Sequence, residues 1–222
     1  MTATRARAVL FDLDGTLIDS ALDLGGAGND LRARRGLPEL PLATYRPMTG
    51  AGARGMLGIA LDVTPEHPDF ETLKQEYLAL YEARMTRLTR VFDTVAPVLD
   101  ALDAAALPWG IVTNKHSRFA APVVEAVGLA ARSRVLVCGD TTPRAKPFPD
   151  PLLEAARRLD VAPADCLYVG DDLRDVQAGQ AAGMTTIAVA WGYLGQGEPI
   201  EAWGADHRID FPHQLLNLLE IA

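Results

Sequence analysis

The chain has 222 residues, 49% hydrophobic and 23% charged, and a formal charge of −8. That length suffices for one large domain or a core with a small insert, and the composition excludes a disordered or fibrous chain. The acidic balance, with no basic stripe to release phosphate counterions, excludes a nucleic-acid surface but leaves an anionic small substrate open, because local cations in a cleft can outweigh the global charge.

Residues 1–7 have too short an apolar stretch for a signal peptide, and nothing approaches a membrane-spanning run. Cys138 and Cys166 each lie in an apolar, strand-like stretch and read as buried thiols of a reducing compartment, so a cytoplasmic protein is expected. The run Ala8-Val9-Leu10-Phe11 reads as a strand buried on both faces, and Asp12-Leu13-Asp14-Gly15-Thr16 follows it directly. Two carboxylates exposed at a strand end can hold a divalent cation, attack an electrophile and move a proton. From residue 19 to about 88 the pattern is helical: Asp19-Ser20 offers an N-cap, and Leu73, Tyr77, Leu80, Tyr81, Arg84 and Leu88 recur at helical spacing. No strand is expected in this block, which reads as a separate helical insert.

From about residue 91 strands and helices alternate. Strands are expected at 109–114, 135–138, 166–169 and 185–189, with helices around 95–102, 117–127, 151–159 and 174–182. This alternation implies a parallel sheet with helices on both faces. Polar residues stand at the strand ends: Thr113-Asn114 at the mouth of a helix whose first N–H groups attract anions, Lys146 in a Pro-rich loop, and Gly170-Asp171-Asp172 with Asp175 one turn on. Acids so close together repel each other unless a cation intervenes, and hard oxygen ligands select Mg²⁺.

In this order, Asp-x-Asp-Gly-Thr, Thr113-Asn114, Lys146-Pro147 and Gly170-Asp171-Asp172-x-x-Asp175 resemble the haloacid dehalogenase superfamily over essentially the whole chain. The helical insert resembles the cap of the subgroup that contains phosphoglycolate phosphatase. The resemblance implies an α/β fold, with a Rossmann-like doubly wound parallel sheet core (residues 1–17 and 90–222) and an inserted all-helical cap (18–89). It implies a Mg²⁺-dependent phosphomonoesterase for a small anionic ester, with Asp12 as nucleophile, Asp14 as general acid and base, and Lys146 neutralising the transferring phosphoryl group. Thr16, Thr113 and Asn114 would bind substrate. Asp12, Asp14 through its main-chain carbonyl, and Asp171 would ligate the metal, with Asp172 and Asp175 behind them.

An acid at position 14 favours phosphate chemistry over dehalogenation, whose halide leaving group needs no proton. A sugar phosphomutase keeps that acid and stays an alternative. In the insert, the Gly-rich segment 49–55 is the expected specificity loop, with Arg54 as partner for a substrate carboxylate or as an exposed side chain in a tight turn. Residues 109–115, 170–175 and 203–206 are also similar to bacterial enzymes acting on N-acetylmuramic acid 6-phosphate, which gives a second substrate expectation. Lys115 and His116 sit where a helix dipole disfavours cations, which goes with a nearby anion or with a solvent-facing pair. His67, His207 and His213 form no ligand pattern. Monomer and homodimer are both left open.

Overall fold

The structure, a computed structural model, describes residues 6–195 and 197–221; residues 1–5, the start of the expected core segment, lie outside the described residues. In chain order it comprises β1 (Ala8–Phe11), β2 (Ile18–Asp19), α1 (Ala21–Ala33), α2 (Leu42–Tyr45), α3 (Gly52–Leu61), α4 (Phe70–Glu82), β3 (Arg90–Val91), α5 (Ala96–Ala104), β4 (Trp109–Val112) and α6 (Ser117–Ala126). Then follow β5 (Leu136–Val137), α7 (Asp150–Leu159), β6 (Cys166–Gly170), α8 (Leu173–Ala182), β7 (Thr185–Val189), β8 (His207–Ile209) and α9 (Gln214–Leu219).

The main sheet is six-stranded and parallel, in the order β5-β4-β1-β6-β7-β8. β1 lies in the middle, and its side chains alternate between two apolar layers because successive residues of a strand point to opposite faces. Val9 and Phe11 join Leu99, Val123 and Leu215 on one side; Ala8 and Leu10 join Leu152, Ala155 and Ala178 of α7 and α8 on the other. Phe11 meets Trp109 edge to face, with ring centroids 6.2 Å apart. Each large apolar side chain so buried contributes roughly 1.5–3 kcal/mol, and together they fix where the strands end.

Three expectations need correction. The block after residue 17 is not free of strand: Ile18 and Asp19 pair antiparallel with Val91 and Arg90, so a two-stranded ribbon joins the entry and exit of the helical segment. The helix expected to reach Leu88 stops at Glu82. Buried Asp23 Oδ2 accepts the main-chain N–H groups of Leu88 (2.9 Å) and Thr89 (2.8 Å), which a continuing helix would have kept for itself, and Leu88 is exposed. Likewise the strand expected at 135–138 shortens to Leu136–Val137, because Cys138 N–H donates to Thr141 Oγ1 and the chain turns there. β8 and α9, beyond the last expected strand, were not foreseen.

Within the helical segment, α1 carries Gly25, Gly26, Ala27 and Gly28 in succession. A Cβ at Gly28 would lie 2.6 Å from the Tyr45 ring, so the missing side chain is what lets Tyr45 pack flat on α1. Tyr77 Oη then donates to the Leu24 carbonyl at 3.0 Å, tying α4 to α1.

Candidate active site

β1 and β6 are neighbours in the sheet, yet β4 and β5 extend to one side of them and β7 and β8 to the other. Ligands of open α/β sheets bind at such a switch point, beyond the carboxyl ends of the strands. Asp12 follows β1, Thr113 follows β4, Asp171 follows β6, and Lys146 comes from the loop before α7. All four line one cavity of about 250 Å³, which Asp14, Asn114 and Lys115 share and which Thr49, Gly50, Ala51 and Gly52 close from the helical side.

Lys146 is buried and fully engaged. Its Nζ donates to the Val112 carbonyl (3.0 Å), Tyr168 Oη (2.8 Å) and Asp175 Oδ1 (2.7 Å), which uses all three ammonium protons. Asp12 Oδ1 stands 2.8 Å from the same Nζ as a fourth partner, an ion pair whose charge matters more than its hydrogen-bond geometry. Burial works to lower the Lys146 pKa, and the carboxylates of Asp12 and Asp175 override it and raise the value. Burial also pushes the Asp12 carboxyl up to about 7, against the pull of Lys146 and with the help of Asp175.

Asp171 is held rigidly. Its Oδ1 accepts from Thr16 Oγ1 at 2.7 Å and its Oδ2 from the Tyr193 main-chain N–H at 2.8 Å. Gly15 has φ +91°, and a Cβ there would collide with the Asp171 carboxylate, so glycine is required both for the turn and for the approach. Burial, then Asp12 and Asp175, raise the Asp171 carboxyl well above its ordinary range.

Asp12, Asp171 and Asp175 bring one carboxylate oxygen each within 4.8 Å of one another. A divalent cation fits this set: the donors are hard oxygens, and Asp12 offers a buried oxygen with no hydrogen bond of its own. Asp175 is less free than the other two. Its Oδ1 accepts from Lys146 and Tyr168 and its Oδ2 from the Asp172 N–H, so its first task is to orient Lys146.

Asp14 turns away from this cluster. Its Oδ1 accepts from Ser20 Oγ at 2.5 Å, and Lys115 Nζ reaches both its oxygens, at 2.9 and 3.1 Å. Lys115 lies against the Tyr81 ring of α4, 4.8 Å from its centroid. Burial opposes the charge on Lys115, but Asp14 and then Tyr81 raise its pKa.

Several expected site residues sit differently from their expected roles. Thr16 does not line the cavity; its hydroxyl is spent on Asp171. Asn114 lines it, but its side chain brackets the main chain of Lys146, accepting from its N–H and donating to its carbonyl, both at 2.9 Å. The first N–H groups of α6 do not face the cavity: Asp140 takes that of Ser117, and His116 Nδ1 takes that of Arg118. Asp172 caps α8 and ion-pairs with Arg174 at 2.7 Å. Arg54 is exposed on the first turn of α3 and does not line the cavity.

Sequence reasoning missed Arg174, Tyr193 and Ser20. Arg174 Nη2 donates to the Gly50 carbonyl at 2.7 Å, joining α8 to the loop on the helical side. Tyr193 Oη accepts from the Ser20 N–H at 2.9 Å. Tyr193 lies in no motif, whereas Arg174 fills an unspecified position of Gly170-Asp171-Asp172-x-x-Asp175, a signal that could have been followed.

The fold is a doubly wound α/β sheet with an acid–lysine cluster at its switch point. A family model described as haloacid dehalogenase-like hydrolase matches residues 9–189. The chain belongs to that family. It is 42% identical over 222 residues to the N-acetylmuramic acid 6-phosphate phosphatase of Pseudomonas aeruginosa, covering 100% of this chain and 98% of the relative. It is 45% identical over 213 residues to the phosphoglycolate phosphatase of Xanthomonas campestris pv. campestris, covering 94% of each. The crystal structure of a predicted phosphoglycolate phosphatase from Haemophilus somnus 129pt superposes with a TM-score of 0.81 at 26% identity, over 96% of this chain and 97% of that one. Both curated relatives are phosphatases, in accord with the expected phosphoric monoester hydrolase. Among the described residues, no helix is long and apolar enough to cross a membrane.

Proposed function

We propose that the chain is a Mg²⁺-dependent phosphomonoesterase that hydrolyses a small anionic ester through an aspartyl-phosphate on Asp12. The observation that carries this reading is the Asp12 carboxylate, paired with Lys146 at 2.8 Å and clustered with Asp171. A carboxylate so placed keeps its electron pairs for an electrophile. Asp12 attacks phosphorus, the bond to the ester oxygen breaks, and that oxygen takes a proton from Asp14. Asp14 then accepts a proton from water as the water attacks phosphorus and frees Asp12. Thr113 faces the transferring group, Asn114 positions Lys146 through its main chain, and Lys146 neutralises the charge shared by that group and Asp12. Asp12, Asp171 and the Asp14 main-chain carbonyl would hold Mg²⁺, which would supply positive charge to offset repulsion between a phosphate dianion and a carboxylate.

Residues 18–89 act as a cap that excludes water during transfer, a reading supported by the β2–β3 ribbon at both crossings and by residues 49–52 lining the cavity. The buried free thiols of Cys138 and Cys166 support a cytoplasmic setting. For substrate, the lead is a phosphoglycolate-like ester. N-acetylmuramic acid 6-phosphate is the second reading, favoured by the end-to-end match to the Pseudomonas aeruginosa relative.

Purified protein should release phosphate from members of a panel containing both esters and common hexose phosphates, and EDTA should abolish the release. Asp12→Asn should lower kcat on the order of 10⁶-fold, the scale of removing a nucleophile. Undiminished turnover in that variant removes Asp12 from this role.

A further inference from the structure

We propose that Lys115 determines specificity at this site, receiving a carboxylate carried close to the ester oxygen of the substrate. The inference rests on the phosphatase reading and deepens it by assigning the second anionic group of the substrate to a particular cation.

Three cations line the cavity: Lys146, Arg174 and Lys115. Lys146 has no proton to spare, since each goes to an acceptor of the protein. Arg174 is locked by both oxygens of Asp172 and by the Gly50 carbonyl. Lys115 differs from both, because Asp14 is its only anionic partner and the rest of its ammonium faces the Tyr81 ring. Its side chain is only 9% exposed, so little water competes with a ligand there. Beside it the buried Tyr81 hydroxyl has Lys115 itself as its one neighbouring partner, so the two form a polar pair beside the cavity.

Charge balance points the same way. Five carboxylates line the cavity (Asp12, Asp14, Asp171, Asp172 and Asp175) against those three cations, an excess of two negative charges that one divalent ion would cancel. A phosphate dianion then brings two more, and a substrate carboxylate a third. Lys115 is the one cavity cation among the described residues with donor capacity left for it. Position sets the reach. In the proposed chemistry the ester oxygen lies within hydrogen-bond distance of Asp14, about 3 Å, and Lys115 Nζ is itself 2.9 Å from Asp14. A carboxylate one carbon away from that oxygen falls within range of the ammonium. One many bonds away, as on the lactyl arm of a muramic acid 6-phosphate, is not held near that oxygen by its own covalent frame.

The test compares 2-phosphoglycolate with its uncharged amide in the Mg²⁺-loaded protein. The parent should prefer the acid in kcat/KM, and Lys115→Met should shrink that acid-to-amide ratio by about 30-fold or more, the low end for losing one partner of a buried charge pair. Lys115→Arg, which keeps the charge, should keep the preference. A lysine that served only to hold Asp14 would slow both esters alike, so an unchanged ratio in Lys115→Met overturns the proposal. A measurement on the parent protein needs neither turnover nor a stable variant: calorimetric binding of 3-phosphonopropionate against its amide. Tighter binding of the acid supports the assignment, and equal binding overturns it. If no ester is hydrolysed at all, the phosphatase reading fails, while the phosphonate pair still decides what Lys115 binds.

Discussion

On the sheet side of the cavity, the lining side chains lie at or just beyond strand ends or in the loop before α7, and most are fixed by bonds to other side chains. On the helical side the wall at residues 49–52 is built of small, uncharged residues, and an arginine reaches it across from α8. The sheet side therefore concentrates charge that is costly to bury and must be balanced group by group. The helical side offers a nearly uncharged surface that can shift by small amounts without unpairing an ion. This contrast suits a division in which one side performs the chemistry and the other shapes what may enter.

The largest expected effect comes from unbalancing the sheet side. Lys146→Met removes the cation that Asp12 and Asp175 share, leaving two buried carboxylates without it. Breaking a buried pair by deleting one partner costs about 3–5 kcal/mol, and losing one electrostatic stabiliser costs about 10²–10³ in kcat. Thermal or urea unfolding and single-turnover kinetics read the two losses separately. A variant that loses neither shows that the cluster does not depend on Lys146 for balance, and the proposed contrast between the two sides disappears.

A smaller effect follows from pH. The Asp12 carboxyl is raised from 3.8 to about 7 in the fold, chiefly by burial, so between those values the folded protein holds a proton that the unfolded chain has released. Stability of the metal-free protein should then fall as pH rises from about 4 to about 7 and level off above, and Asp171, raised by burial as well, adds a slope of the same sign. Mg²⁺ should reverse the loss above pH 7, by about 2.7 kcal/mol at a concentration one hundred times its Kd. Melting curves across this range with and without Mg²⁺, repeated with Asp12→Asn to flatten most of the slope, check it. A melting temperature that rises with pH without metal would mean that the acids are balanced some other way.

The same contrast explains what could be read from the sequence. The strand-end residues were legible because an apolar run that stops at an acid, a hydroxyl or an amide marks both an element and its functional end. That is why Asp12, Thr113 and Asp171 could be placed together, whereas Lys146, in a loop, was placed only by the ordered series of motifs it belongs to. Their partners were harder, since no local pattern tells that Thr16 turns to Asp171 or that Asn114 brackets Lys146. Arg54 shows the opposite error. A Gly-rich loop with an arginine suggests an anion site, but α3 begins at Gly52 and leaves that side chain on an exposed face, while residues 50–52 supply the wall. The short ribbon of β2 and β3 was invisible for another reason: two residues on each side carry no periodicity, and only their pairing across some seventy positions makes them strand.

The smallest effect falls on the helical side. Arg174→Met removes the bond to the Gly50 carbonyl and frees Asp172, which still caps α8 through the main-chain N–H of residue 174. Hydrogen bonds to charged groups contribute about 1.5–3 kcal/mol, and the low end applies because the Arg174 side chain is 38% exposed and partly screened. About one factor of ten in KM is therefore expected, with kcat nearly unchanged, since Arg174 touches neither Asp12 nor Lys146. Steady-state kinetics on the best substrate of the panel separates the two parameters. A drop in kcat with KM unaltered would place the loop at residues 49–52 in the transition state itself, and the wall that looks like a passive boundary would have to be counted with the chemistry of the strand ends.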